Sequence, residues 1–90
     1  MSRYRLFVLA KCELGQAEAV GTHIADHLPE VSEVYSITGD HDLLLKVPFD
    51  EIADVEAVIQ RKLHAVPGLR ETQTMLSFRV YGEDIGDFVS

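Results

Sequence analysis

Apolar residues recur along this chain with two different periods, and the switches between them mark out its elements. Leu6 to Ala10 is an unbroken apolar run, too short for a convincing helix, and it reads as a strand buried on both faces. Successive side chains of a strand point to opposite sides, so Leu6, Val8 and Ala10 cover one layer while Phe7 and Leu9 cover another. From Gln16 to Leu28 the period changes. Ala17, Val20, Gly21, Ile24 and Leu28 return at three- and four-residue spacing, the stripe of an amphipathic helix, and Pro29 stops it. Gly21 on that stripe costs about 1 kcal/mol of helix propensity, which makes sense where the helix approaches a sheet closely.

The stretch Val31 to Val47 organises the rest. Val34, Tyr35 and Ile37 lie on one side of the tetrad Gly39-Asp40-His41-Asp42, and Leu43, Leu44, Leu45 and Val47 lie on the other. No helical period joins the two sides, so the stretch reads as strand, tight turn, strand. Gly39 can take positive φ without steric cost, and Asp40 and Asp42 can bond nearby backbone amides.

Pro48-Phe49-Asp50 ends that second strand of the hairpin, with Asp50 a candidate N-cap for a second helix. Ile52, Val55, Val58, Ile59, Leu63 and Val66 then recur at helical spacing through His64, and Pro67-Gly68 terminates the helix. Leu69 to Tyr81 alternates, with Thr72, Thr74, Leu76, Phe78 and Val80 on one face and Glu71, Gln73, Met75, Ser77 and Arg79 on the other. That is a long final strand. The order β-α-β-β-α-β is the split βαβ arrangement called ferredoxin-like, an α+β sandwich with a four-stranded antiparallel sheet and both helices on one face. Residues 1–81 are expected to form the domain, and residues 82–90, which carry Ile85, Phe88 and Val89, read as either a frayed tail or a small clasp on a neighbouring subunit.

Two helices cover only one side of this sheet, yet the first and third strands are apolar on both. Soluble monomers avoid a broad exposed apolar face, so the pattern predicts a homodimer with sheets packed face to face. An interface of roughly 800 Å² per partner would be ordinary.

Composition narrows the function. Net charge is −7, and the basic residues are scattered with no cluster longer than Arg61-Lys62, so the footprint of a nucleic-acid surface is missing. The single cysteine, Cys12, excludes a disulfide within the chain and, at the end of an apolar run, reads as a packed or half-exposed thiol. No apolar run is long enough for a signal peptide or a membrane span, and a cytoplasmic location is expected.

Catalytic chemistry has little to work with. His23 and His27 are four apart on the first helix, a spacing that can bind a metal, but they lie to one side of the apolar stripe with no Cys or third histidine near in sequence, and a solvated helix flank is the simpler reading. His64 closes the second helix, where a partly cationic imidazole suits the negative end of the dipole. His41 between two aspartates could serve acid/base chemistry, although adjacent turn residues seldom converge on one substrate atom. No nucleophile, metal set or cofactor motif accompanies it, so neither enzyme activity nor a cofactor is expected. Recognition is the more economical use of the tetrad. A glycine turn presents N–H groups to a carboxylate and an aspartate accepts from an ammonium, which together match an amino acid, with Thr72 and Thr74 as further hydroxyls.

The segments Ile37-Thr38-Gly39-Asp40-His41-Asp42-Leu43-Leu44-Leu45 and Val66-Pro67-Gly68-Leu69-Arg70-Glu71-Thr72-Gln73-Thr74 resemble the effector-binding module of the Lrp/AsnC family of feast/famine transcriptional regulators. That pattern is a T-G-x-x-D turn before an apolar strand, then P-G-V-x-x-T-x-T entering the last strand; Leu69 replaces the usual valine. Family regulators carry an N-terminal helix-turn-helix domain, whereas this sequence starts at the module's first strand, so it resembles the stand-alone members. The resemblance implies dimers built through their sheets, often assembled into octameric rings, with amino-acid effectors held near the glycine-aspartate turn. It implies a DNA-binding relative as a further partner. Carried over by position, Gly39, Asp40, His41 and Asp42 would line the site, with Thr72 and Thr74 beside them. The alternatives from other classes are a small dimeric α+β-barrel enzyme and a structural assembly protein that binds no ligand.

Overall fold

The computed structural model describes residues 4–50, 55–79 and 81. Its elements are β1 (Tyr4–Cys12), α1 (Ala17–His27), β2 (Glu33–Ser36), β3 (Leu43–Phe49), α2 (Val55–His64) and β4 (Leu69–Ser77). The strands form one antiparallel sheet of order β2-β3-β1-β4. The ferredoxin-like order read from periodicity is therefore the order found.

The doubly apolar first strand is an inner strand, bonded to β3 on one side and β4 on the other. Leu6, Val8 and Ala10 pair with Val47, Leu45 and Leu43, and these six side chains are all buried beneath the helices. Val20 and Ile24 from α1, Leu28 just beyond it, and Ile59, Leu63 and Val66 close the layer above them. Burying each of the larger ones contributes about 1.5–3 kcal/mol. An ion pair between Lys62 on α2 and Glu30 beyond α1 ties the two helical segments together at the surface.

Gly21 faces the sheet as its position on the stripe predicts. A Cβ there would lie 3.5 Å from Leu43 Cδ2 and 3.8 Å from Val34 Cγ1, which is ordinary contact.

Three details differ from the periodicity. Ile37 is not a strand residue, because β2 ends at Ser36 and the connection to β3 is the longer loop 37–42 rather than a tight turn. The hydrogen bond from Ile37 N–H to Asp42 O, 3.0 Å, closes that loop without extending the ladder. β4 stops at Ser77 instead of running to Tyr81, and Phe78 and Tyr81 are exposed. The helix-capping role expected of Asp50, the strand position of Val80 and the clasp of residues 82–90 involve residues outside those described.

The open side of the sheet is also more polar than two apolar strands suggest. Phe7, Leu9 and Leu44 do lie there, half-buried, but Lys46 and Arg5 lie among them and are buried, and Glu33 and Gln73 flank them.

Candidate functional site

The loop 37–42 joins the edge strand β2 to the inner strand β3, and two hydrogen bonds hold it against the end of β1. Besides the bond that closes the loop, Asp42 N–H donates to Ala10 O at 2.9 Å. The Asp42 carboxylate then accepts the Cys12 N–H at 2.8 Å through Oδ2. Beyond Leu43 no strand residue of β3 remains to pair with this amide, so the side chain satisfies it. Gly39 has φ +113°, a conformation that side chains rarely adopt, and open space where a Cβ would stand. The need for glycine is thus one of backbone conformation. Gly39 and Asp40 are exposed, while His41 and Asp42 are half-buried.

The second motif meets the first through β1. Immediately after Cys12, Glu13 N–H donates to Gly68 O at 2.7 Å. Gly68 has φ +87°, and a Cβ there would stand 3.0 Å from Val20 Cγ2 and 3.3 Å from Gln16 Cβ, so both conformation and space demand glycine. The β1–β4 register shifts at this same point, between Lys11 and Cys12. Asp42 and Gly68, distant in sequence, are therefore joined through two consecutive amides at the end of one strand. Burial pushes the Cys12 thiol up from its ordinary pKa, and the neighbouring Asp42 charge adds to that shift.

Gly39, Asp40, His41 and Asp42 are brought together as one loop. Thr72 and Thr74 are placed elsewhere, on β4 across β1 from Leu43, facing the helices. Gln60 of α2 engages both: its amide donates to Thr74 Oγ1 at 2.5 Å, and Thr72 Oγ1 donates to Gln60 Oε1 at 3.4 Å. Within one chain these hydroxyls serve the contact between α2 and β4. Sequence reasoning passed over Gln60, Cys12 and Glu13, and no local signal marks them, since two act through backbone amides and the third is an ordinary polar helix residue.

An open groove of about 540 Å³ adjoins the loop, between α1 and β2, lined by Gly21, Thr22, Ala25, Val34, Ser36 and Leu43. Ser36 and Leu43 are the two strand residues that bracket residues 37–42. On the other flank of α1, His23 and His27 stack at 4.4 Å, and His27 Nδ1 lies 3.1 Å from the His23 carbonyl oxygen. Among the described residues no group of three or more His, Cys, Asp or Glu could hold a metal ion, and no helix is long and apolar enough to cross a membrane.

Sheet order, helix placement and the acidic glycine loop define a ferredoxin-like α+β module with one candidate recognition loop at an end of the sheet. The chain belongs to the Lrp/AsnC family: residues 5–86 match the family model for the Lrp/AsnC ligand binding domain. It is 29% identical over 77 residues to the HTH-type transcriptional regulator FL11 of Pyrococcus horikoshii, covering 86% of this chain and 50% of that one. An uncharacterised HTH-type transcriptional regulator of Pyrococcus abyssi is 40% identical over 58 residues, 64% of this chain and 39% of the relative. The chain thus spans half or less of the length of these curated relatives. Among solved structures, TTHA0845 from Thermus thermophilus superposes with a TM-score of 0.76 at 35% identity, covering 87% of this chain and 96% of that one. The transcriptional regulator NMB0573 of Neisseria meningitidis, solved as an L-Met complex, shares the fold with a TM-score of 0.72 at 18% identity, over 87% of this chain and 51% of that one.

Proposed function

We propose that this protein is an amino-acid-sensing regulatory module that binds its effector at the loop Gly39 to Asp42 and couples occupancy to subunit assembly. The observation that carries the reading is the match of nearly the whole chain to a ligand binding domain of transcriptional regulators. The exposed Gly39 backbone suits a carboxylate, and Asp40 with the outer oxygen of Asp42 suits an ammonium. The adjoining groove leaves room for an effector side chain. Thr72 and Thr74 remain weaker contributors, because contact with an effector would compete with Gln60. A crystallised L-Met complex of a protein with the same fold supports the ligand class.

Subunits associate through the open sheet face as dimers, and dimers assemble further into rings with the loop near their junction. DNA reading falls outside these residues, a reading supported by the net charge of −7 and by the scatter of the basic residues along the sequence; a DNA-binding relative supplies it. Effector binding shifts assembly only as far as it prefers one state, and a differential worth about 1–3 kcal/mol changes the balance by roughly 5- to 150-fold.

A thermal-shift screen against the twenty amino acids, with light scattering on each hit, tests the reading. A ligand selective for the native state contributes about 2.7 kcal/mol at one hundred times its dissociation constant. A selective hit that changes oligomer size is the expected result. Silence across all twenty at millimolar concentration would overturn amino-acid sensing by this module.

A further inference from the structure

The open sheet face carries an ionic network that the effector reading does not use. Glu33 of β2 pairs directly with Lys46 of β3, and Lys46 pairs with Phe7 of β1, which pairs with Met75 of β4. One row across four strands is therefore charged at its β2 end and apolar at its β4 end. Lys46 Nζ lies 2.7 Å from Glu33 Oε1, with the lysine side chain only 7% exposed and the glutamate 45% exposed. The same carboxylate accepts the Tyr35 hydroxyl. The ammonium is thus sunk into the face, and the carboxylate stands at its surface with acceptor capacity facing outward.

Resting on the sheet-to-sheet reading above, we propose that Glu33, Lys46 and Tyr35 select the partner that covers this face: a second copy whose β4 side, presenting Met75, lies over β2. Charge decides the arrangement. A twofold axis running across the strands through this row would set β2 against β2 and stack the two Glu33 carboxylates on each other. An axis along the strands sets β2 against β4 and keeps each row in register. Glu33 then meets the partner's Met75, Lys46 meets the partner's Phe7, and Leu44 meets the partner's Leu9. Both members of the ion pair then face uncharged side chains, and Leu44 and Leu9 meet each other. A relative with an acidic side chain at the Met75 position would be rejected, because its charge would face the Glu33 carboxylate.

The test uses the whole chain and analytical ultracentrifugation. Met75→Glu and Met75→Lys both remove the thioether, so the difference between them isolates the sign of the charge. Met75→Glu should weaken the dimer by about tenfold or more relative to Met75→Lys, with the gap narrowing in high salt. A mixture of Met75→Glu with Glu33→Gln should form heterodimers above the statistical fraction by native mass spectrometry, since the heterodimer keeps no carboxylate pair. Equal dimer constants for the two Met75 variants, or statistical mixing, would overturn the selection. Phe7→Glu separates the underlying reading: it should dissociate the dimer whatever residue 75 does. A monomeric wild type, or a dimer indifferent to Phe7→Glu, would remove the sheet interface and this selection with it. A dimer sensitive to Phe7→Glu yet blind to charge at residue 75 would remove the selection alone.

Discussion

The two sides of the sheet are built from the same strands and obey different rules. On the helix side, Leu6, Val8, Ala10, Leu43, Leu45 and Val47 are at most 4% exposed, and the polar Thr72 and Thr74 beside them on β4 are bonded to Gln60 of α2. On the other side, Phe7, Leu9 and Leu44 alternate across the strands with Arg5, Lys46 and Glu33. A side closed within its own chain needs only volume and apolarity, because its partners are always present at the same effective concentration. A side that meets another molecule must also exclude wrong partners, and charge does that better than volume. On the proposed sheet-to-sheet reading, the difference between the faces separates what folds the subunit from what selects its partner.

Adjacent leucines give the sharpest test of that contrast. Leu45→Ala, on the helix side and fully buried, should cost about 2–5 kcal/mol in chemical denaturation. Leu44→Ala, one residue away on the open side, should change the subunit's own stability by less than half as much and show its effect in concentration dependence. Equal losses that are independent of concentration would erase the distinction between the faces.

Asp42 lies where folding and recognition overlap, and two substitutions separate them. Asp42→Ala leaves the Cys12 amide without its acceptor and should cost about 1–3 kcal/mol in the same assay. Asp42→Asn keeps an acceptor but not the charge, so it should retain most of the stability while weakening amino-acid binding measured by calorimetry. Undiminished binding in Asp42→Asn would leave the residue a purely structural role.

A smaller effect is expected at the boundary between α1 and the sheet. Because a Cβ at Gly21 meets only ordinary contacts, Gly21→Ala should stabilise the fold by about 0.5–1 kcal/mol through helix propensity. A loss of stability would show that the helix already touches the sheet as closely as it can.

The smallest effect is a pH dependence on the open side. The hydrogen bond from Lys46, followed by that from Tyr35, holds the Glu33 carboxyl below its ordinary value of 4.5. A folded-state pKa lowered in this way contributes stability above the unfolded value, and the contribution is lost as pH falls through the folded value. Glu33→Gln should therefore be slightly less stable than wild type at neutral pH, and the two stability curves should converge on acidification. The Tyr35 hydroxyl is pushed up by the same hydrogen bond, so its ionisation in spectrophotometric titration should move down toward the ordinary tyrosine value when Glu33 is replaced.

Legibility in the sequence followed the range of the interaction involved. The strand Leu6 to Ala10 and the stripe of α1 were readable because burial imposes a period on neighbouring residues. The end of β4 was not, since the alternation continues past Ser77 while pairing with β1 stops. The loop at Gly39 was visible as turn chemistry, but its length was misjudged because Ile37 has a strand former's side chain and a loop residue's hydrogen bond. Thr72 and Thr74 read as free hydroxyls only because Gln60, which occupies them, lies on an element separated from them by a turn.

The sequence by itself determined the order of elements, the layer each apolar residue of the first strand enters and the two glycine motifs, all of which depend on local periodicity and backbone conformation. Tertiary structure alone decided that Asp42 and Gly68 meet at the end of β1, and that Lys46 is sunk beside Glu33 on the uncovered face. The reason is physical. Periodicity reports whether a side chain leaves water, whereas the partner it finds there depends on strand register and on which strands become neighbours, and no short window of residues contains either.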